Sequence, residues 1–299
     1  METRRALQVD AFTDEPLTGN AAGVVPDADG LSDGQMQAIA REFNQSETAF
    51  VLSTGSADRR VRYFTPKQEI ELCGHATIAM HAALAENGDL DVGDHTLETN
   101  VGVLDITVEE DDTVWMTQSQ PAIREVDVDP VEVADALGID PAALTDIEDE
   151  LPIARATTGL PFLIVPVTFL EQLGQADPDM AAVEQLSEEV DVTGLYAFTF
   201  DVLSAQATLH GRMFAPRAGV PEDPVTGTAS GATGAYLRHF GAFDTMPDEV
   251  LFEQGHFISR PGTVRVRVGD QIQVGGRAVT SFDGSVVVPT LDEDEILEA

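Results

Sequence analysis

Cysteine, lysine, tryptophan and long apolar runs are scarce in this chain. Its 299 residues include one cysteine, Cys73, one tryptophan and one lysine, Lys67. A single thiol cannot close an intramolecular disulfide, and isolated histidines without further cysteines argue against a structural zinc site, so no metal is expected. No phosphate-binding loop or dinucleotide fingerprint is present. No apolar stretch approaches the roughly 20 residues that span a bilayer. The segment Met1 to Arg5 leads into a strand with no signal-type apolar region. These absences set the expectation of a cytoplasmic protein without a membrane partner.

Acid is abundant. The 53 aspartates and glutamates outweigh 16 lysines and arginines, for a formal net charge of -37. Such a surface repels nucleic acid as well as anionic lipid. The carboxylates are spread through the chain, at Asp89 to Asp94, Glu109 to Asp112, Glu125 to Glu132, Asp146 to Glu150 and Asp292 to Glu298. An evenly acidic globular surface suits a halophilic host, because molar salt shortens the Debye length to roughly 3 Å. Composition thus reports habitat, and function has to be sought in the apolar motifs.

Two stretches share one design. Glu69 to Thr77 and Gly219 to Ala229 each read as a strand, a small-residue turn and an Ala-rich helix, with Cys73-Gly74-His75-Ala76 lying over Thr226-Gly227-Thr228-Ala229. A helix N-terminus offers free backbone N–H groups and the positive end of the helix dipole, which suits a carboxylate. The plainer reading of the second stretch makes Asp223 an N-cap with Pro224 at the first helical position. The repetition favours an internal duplication whose two helix ends face one cleft.

These motifs resemble those of the PhzF (phenazine biosynthesis-like) family, which has the diaminopimelate epimerase fold. The resemblance rests on Val9 to Phe12 with Gly19-Asn20-Ala21-Ala22, Asn44-Gln45-Ser46-Glu47-Thr48, Phe64-Thr65-Pro66 leading to Glu69 and Cys73 to Thr77, Arg212 to Pro216 leading to Glu222 to Ala229, and Gln254-Gly255 with Ser259 to Gly262. It implies an α+β fold of two pseudo-symmetric lobes, each a curved sheet wrapped around a central helix. The expected lobes are residues 1–120, completed by a strand at about 284–299, and 121–283, with the active site in the cleft between them. Isomerase or epimerase chemistry on a small carboxylate-bearing substrate follows, with a homodimer as the family habit.

The resemblance makes Glu47 the catalytic acid/base, with His75 and Asp223 holding substrate and relaying protons. Gly74, Gly227 and Thr228 would offer N–H groups to a carboxylate, with threonine at 228 where the family more often has serine. Asn20, Cys73 and Thr226 complete the expected substrate-binding set. Relatives of the wider fold group use two cysteines as base and acid; Cys73 stands at the first of those positions and Thr226 at the second. A threonine hydroxyl does not ionise near neutral pH, which argues against the two-thiol mechanism. Lys67 matches a variable family position, so no cofactor is expected. Two alternatives stay open: a catalytically silent binding protein, and a racemase pairing Cys73 with a non-cysteine partner.

Local signals also predict elements. Ser32 and Gln35 before Met36, Ile39, Ala40 and Phe43 predict a capped helix over 33–43. Asp129, Pro130, Glu132 and Gly138 predict a second, and Asp177-Pro178 a third. Helices after Cys73 and Thr226 should stop at Gly88 and Gly241. Alternation predicts strands at 5–12, 48–52, 59–64, 96–99, 101–108, 113–117, 151–157, 161–167, 195–200 and 205–214, and short tail strands separated by Gly-Asp, Gly-Gly and Asp-Gly turns. His81 is expected to be structural.

Overall fold

A computed structural model describes residues 1–145 and 151–290. The acidic runs Asp146 to Glu150 and Asp292 to Glu298, and the end of the expected strand beyond residue 290, lie outside them. The chain divides into two compact units, Met1–Met116 with the segment from Gly276, and Thr117–Gly275.

In the first unit the strand Thr3–Ala11 runs antiparallel to Asn20–Val25 and to Ala278–Val287. Asn20–Val25 then pairs parallel with Thr48–Leu52, which pairs antiparallel with Arg59–Phe64. Arg59–Phe64 holds the two-residue strand Glu69–Ile70 antiparallel and Gly93–Thr99 parallel, and Gly102–Val108 and Val114–Thr117 follow as a meander.

The second unit repeats that plan. Ala154–Thr157 pairs antiparallel with Pro161–Pro166 and with Ala122–Glu125; Pro161–Pro166 pairs parallel with Gly194–Thr199, and that strand antiparallel with Leu209–Ala215. Leu209–Ala215 holds the short Val220–Asp223 antiparallel and Val250–Gln254 parallel, before a meander of Gly262–Val268 and Ile272–Gly276. Strand for strand, sense of pairing for sense of pairing, the two units agree.

Each sheet packs on one helix of 13 residues, Gly74–Glu86 in the first unit and Gly227–His239 in the second. Both are buried nearly all round, as a helix enclosed by a curved sheet must be. In the first, Ala76 to His81, Ala83 and Leu84 are buried. In the second, a side chain at Gly231 would place its Cβ 2.8 Å from Val274. Small residues therefore set how closely the sheet approaches.

The capped helix Asp33–Phe43 carries a complete capping box between Ser32 and Gln35, and Pro130–Leu137 is capped by Asp129 and stopped by Gly138 in the left-handed region. Both central helices end one residue before Asn87 or Phe240, and Gly88 and Gly241 follow with positive φ. Three expectations need correction. The cap of the helix Met180–Glu189 is Asp179 rather than Asp177, because the Asp179 side chain reaches the N–H groups of Ala181 and Ala182. The dipeptides Gly275-Gly276 and Asp283-Gly284 are no turns: the first lies in the strand Ile272–Gly276, and the second inside the ten-residue strand Ala278–Val287, opposite Leu7 and Ala6. Asp223 does not cap the second central helix; it ends a strand, and Thr226 is the N-cap.

Candidate active site

Glu47 owes its position to the end of the helix Asp33–Phe43. Asn44 terminates that helix in the left-handed region, which asparagine tolerates better than most residues, and the chain reverses through Gln45 and Ser46. The Glu47 carbonyl accepts from Gly23 N–H at 2.9 Å, which ties its backbone to the strand Asn20–Val25. Its side chain is 18% exposed, and Oε2 is buried with no hydrogen bond.

That oxygen lies 3.3 Å from His75 Nε2. Ser46 Oγ is 3.4 Å from the same nitrogen, and Cys73 Sγ is 3.4 Å from His75 Nδ1. One imidazole therefore stands between a carboxylate and a thiol. Cys73 is the N-cap of the helix Gly74–Glu86, in extended conformation and without a side-chain hydrogen bond to the first turn. Gly74 and His75 begin that turn, so backbone donors and the dipole are directed at the same cluster. Asn20 is 3% exposed at the start of its strand. The family resemblance gave Glu47 and His75 roles in one reaction, with His75 paired to Asp223; the Glu47–His75 and Cys73–His75 contacts and the part of Ser46 were not foreseen.

In the second unit Thr226 occupies the equivalent N-cap, again extended and again without a side-chain cap on its helix. Its hydroxyl donates instead to Asp223 Oδ2 at 2.5 Å. Gln254, 1% exposed, clamps this turn: its Oε1 accepts from Thr226 N–H at 3.1 Å, and its Nε2 donates to the Asp223 carbonyl at 2.7 Å and to Thr226 Oγ1 at 3.1 Å. Gly255 makes the approach possible, since a Cβ there would meet the Pro224 carbonyl at 2.7 Å and its φ is +83°. Gly227 is buried and Thr228 half-buried at the helix start, with the Thr228 carbonyl accepting from Thr158 Oγ1 at 3.4 Å. Gln254 was visible as a motif residue, yet nothing in its spacing announced this role.

Behind both N-caps stands a matching hydroxyl. Thr77 Oγ1 donates to the Cys73 carbonyl at 2.7 Å and Ser230 Oγ to the Thr226 carbonyl at 2.9 Å, each one helical turn back. The Tyr63 hydroxyl lies 2.5 Å from Thr77 Oγ1, and burial raises the Tyr63 pKa above that of an ordinary phenol. His81 donates through Nδ1 to the Thr77 carbonyl at 2.8 Å, and burial lowers its pKa to about 4; it is a neutral core residue, as expected.

Comparison with known proteins agrees with this architecture. The family model for the phenazine biosynthesis-like proteins, PhzC-PhzF, matches residues 9–284. An uncharacterized isomerase of Bacillus subtilis is 36% identical over 292 residues, covering 96% of this chain and 97% of the relative. The crystal structure of a Bacillus anthracis phenazine biosynthesis protein of the PhzF family superposes with a TM-score of 0.88 at 35% identity, covering 96% of this chain and all of that one. A hydroxyproline epimerase from Agrobacterium vitis, crystallised with trans-4-hydroxy-L-proline, superposes at 0.60 over 98% of this chain and 93% of its own; at 16% identity it shares the fold alone, that of the diaminopimelate epimerases. With the matched segment and the relatives each spanning nearly all of it, the chain belongs to the phenazine biosynthesis-like family and is an isomerase.

Proposed function

We propose that this isomerase moves a proton on a small carboxylate-bearing metabolite by acid/base catalysis without a cofactor, with Glu47 as the proton carrier. The observation that carries the reading is the Glu47 Oε2 atom, buried, without a hydrogen-bond donor and 3.3 Å from His75 Nε2. An acceptor kept clear of donors is ready to take a proton from carbon, and the neighbouring imidazole can receive or return it. The N-caps at Cys73 and Thr226 leave first-turn N–H groups unclaimed by a capping side chain. Gly74, and by the family pattern Gly227 and Thr228, are the positions that would offer N–H groups to a carboxylate. Asp223 takes the assisting role that the family pattern gives it.

A second reading is supported by the 3.4 Å separation of Cys73 Sγ and His75 Nδ1. In it the imidazole activates the thiol, and Cys73 becomes the carbon base. Thr226 is then an unsuitable opposite acid, because its hydroxyl is already given to Asp223.

Proton NMR of small amino acids and cyclic hydroxy acids incubated with the protein in D2O and molar KCl tests both. Deuterium should enter one carbon-bound position. It should do so about 100-fold or more slowly in Glu47→Gln, the range expected for loss of a general base, and little more slowly in Cys73→Ser. Exchange that survives Glu47→Gln and vanishes in Cys73→Ser reverses the assignment. Ligand shifts without exchange in the wild type would make the protein a binding module.

A further inference from the structure

We propose that Glu47, Cys73 and His75 form a three-ligand site for a borderline-soft divalent cation, zinc above all, whose binding removes Glu47 from proton transfer. The site rests on the coordinates of the three side chains; its effect on proton transfer rests on the role proposed for Glu47 above.

The donor set comes first. A sulfur, an imidazole nitrogen and a carboxylate oxygen make the mixture that zinc accepts, whereas magnesium and calcium require shells of oxygen. The three donor atoms lie within 4.8 Å of one another. Bond lengths of about 2.0 Å to nitrogen, 2.1 Å to oxygen and 2.3 Å to sulfur, at tetrahedral angles, separate N from O by about 3.4 Å and N from S by about 3.5 Å. His75 Nε2 is 3.3 Å from Glu47 Oε2 and 4.0 Å from Cys73 Sγ. The nitrogen and oxygen already have the spacing of co-ligands; the sulfur stands nearer Nδ1, at 3.4 Å, and has to turn about the Cys73 Cα–Cβ bond to join them on one cation.

The surroundings favour the same conclusion. Glu47 Oε2 is a buried acceptor with no hydrogen bond, and a cation would satisfy it. Cys73 sits at the N-cap of its helix; on coordination the thiol proton leaves to water, and no atom changes oxidation state. Three protein ligands leave a fourth position for water or for a substrate carboxylate. This is the open arrangement of exchangeable zinc, and it differs from the closed structural site that the cysteine count argues against.

Cobalt(II) alone is the probe, because the chain has one cysteine and a thiolate-to-cobalt charge-transfer band can therefore arise only from Cys73. Surface carboxylates give no such band. In the full chain one equivalent of cobalt should build the band together with intense four-coordinate visible transitions, and zinc should displace it. Cys73→Ser should abolish the band, and His75→Ala and Glu47→Gln should each weaken cobalt binding at least about tenfold. Circular dichroism checks that each variant folds. Absence of the band in the wild type, or a band with unchanged affinity in both His75→Ala and Glu47→Gln, overturns the proposal.

Discussion

Arg212 grips Glu222 as Arg62 grips Glu69. Each guanidinium makes a two-pronged pair, Nε to one carboxylate oxygen and Nη2 to the other, at 2.9 and 2.8 Å in the second unit and 2.8 and 2.6 Å in the first. Each arginine also stacks over the phenylalanine two residues on, Phe214 at 4.9 Å and Phe64 at 5.2 Å. Each glutamate stands four residues before the N-cap of its central helix, so the pair anchors the short strand that leads into the site. The duplicated plan thus extends to side chains.

The two pairs should differ in energetic weight. Arg212 and Glu222 are 8% and 13% exposed at their side chains, against 18% and 29% for Arg62 and Glu69. Arg212 Nη1 also donates to the carbonyls of Leu173 and Ala176, at the end of the helix Leu170–Gln175. Removing one partner of a buried pair strands the other charge, so Arg212→Leu should lose about 3–5 kcal/mol of unfolding free energy. Arg62→Leu should lose clearly less. Urea unfolding of both, and of Arg212→Leu with Glu222→Leu, checks this: the double variant should recover part of the loss, and a fully additive double would mean that the charges do not interact.

Thr226 makes a prediction that joins stability to turnover. Its hydroxyl is held between Asp223 Oδ2 and Gln254 Nε2. Thr226→Val keeps the shape and removes the hydroxyl, which should cost about 1–3 kcal/mol in unfolding free energy. The same change takes a hydroxyl donor from the Asp223 carboxylate, so kcat should fall while Thr226→Ser retains it. Equal kcat in the two variants would show that Asp223 needs no such restraint.

Much of this was legible from residues alone, for identifiable reasons. The capping box at Ser32 and Gln35 and the Asp129-Pro130 start are local devices, complete within a few residues, and they formed as read. The duplication was read from Cys73-Gly74 and Thr226-Gly227. It could have been read further, since Arg62-x-Phe64-x-Pro66 and Arg212-x-Phe214-x-Pro216 repeat as well. What stayed hidden depends on contacts across long spans of chain. The Gln254 clamp joins residues 28 apart, and Ser46 reaches His75 across 29. Asp283-Gly284 reads as a turn because local propensity knows nothing of the partner strand Thr3–Ala11 that holds it extended.

His81 should leave a measurable pH signature. Its imidazole is buried and its folded pKa is lowered to about 4, while in the unfolded chain it is near the ordinary histidine value of about 6.5. Between those values the unfolded state binds more protons, so stability rises with pH; the contribution is complete above about 6.5 and lost as pH falls toward 4. The span corresponds to about 3 kcal/mol. Urea midpoints from pH 4 to 7 should therefore slope more steeply in the wild type than in His81→Gln, and parallel slopes would show that His81 binds its proton equally in both states over this range.

Salt should act on the whole molecule. With 53 acidic residues against 16 basic ones, the net charge of -37 opposes the compact state through self-repulsion. Raising ionic strength from 0.1 M to 1 M shortens the Debye length from about 10 Å to about 3 Å, below the separation of most surface charges, so the melting temperature should climb steeply over that interval. Screening saturates once the Debye length is that short. Strengthened apolar burial does not saturate and depends on the anion, sulfate acting more strongly than chloride at equal ionic strength. Melting curves in KCl and K2SO4 separate the two: coincidence of the curves below 1 M, followed by a plateau in KCl, is the expected result, and divergence from the lowest concentrations would assign the effect to burial instead of charge.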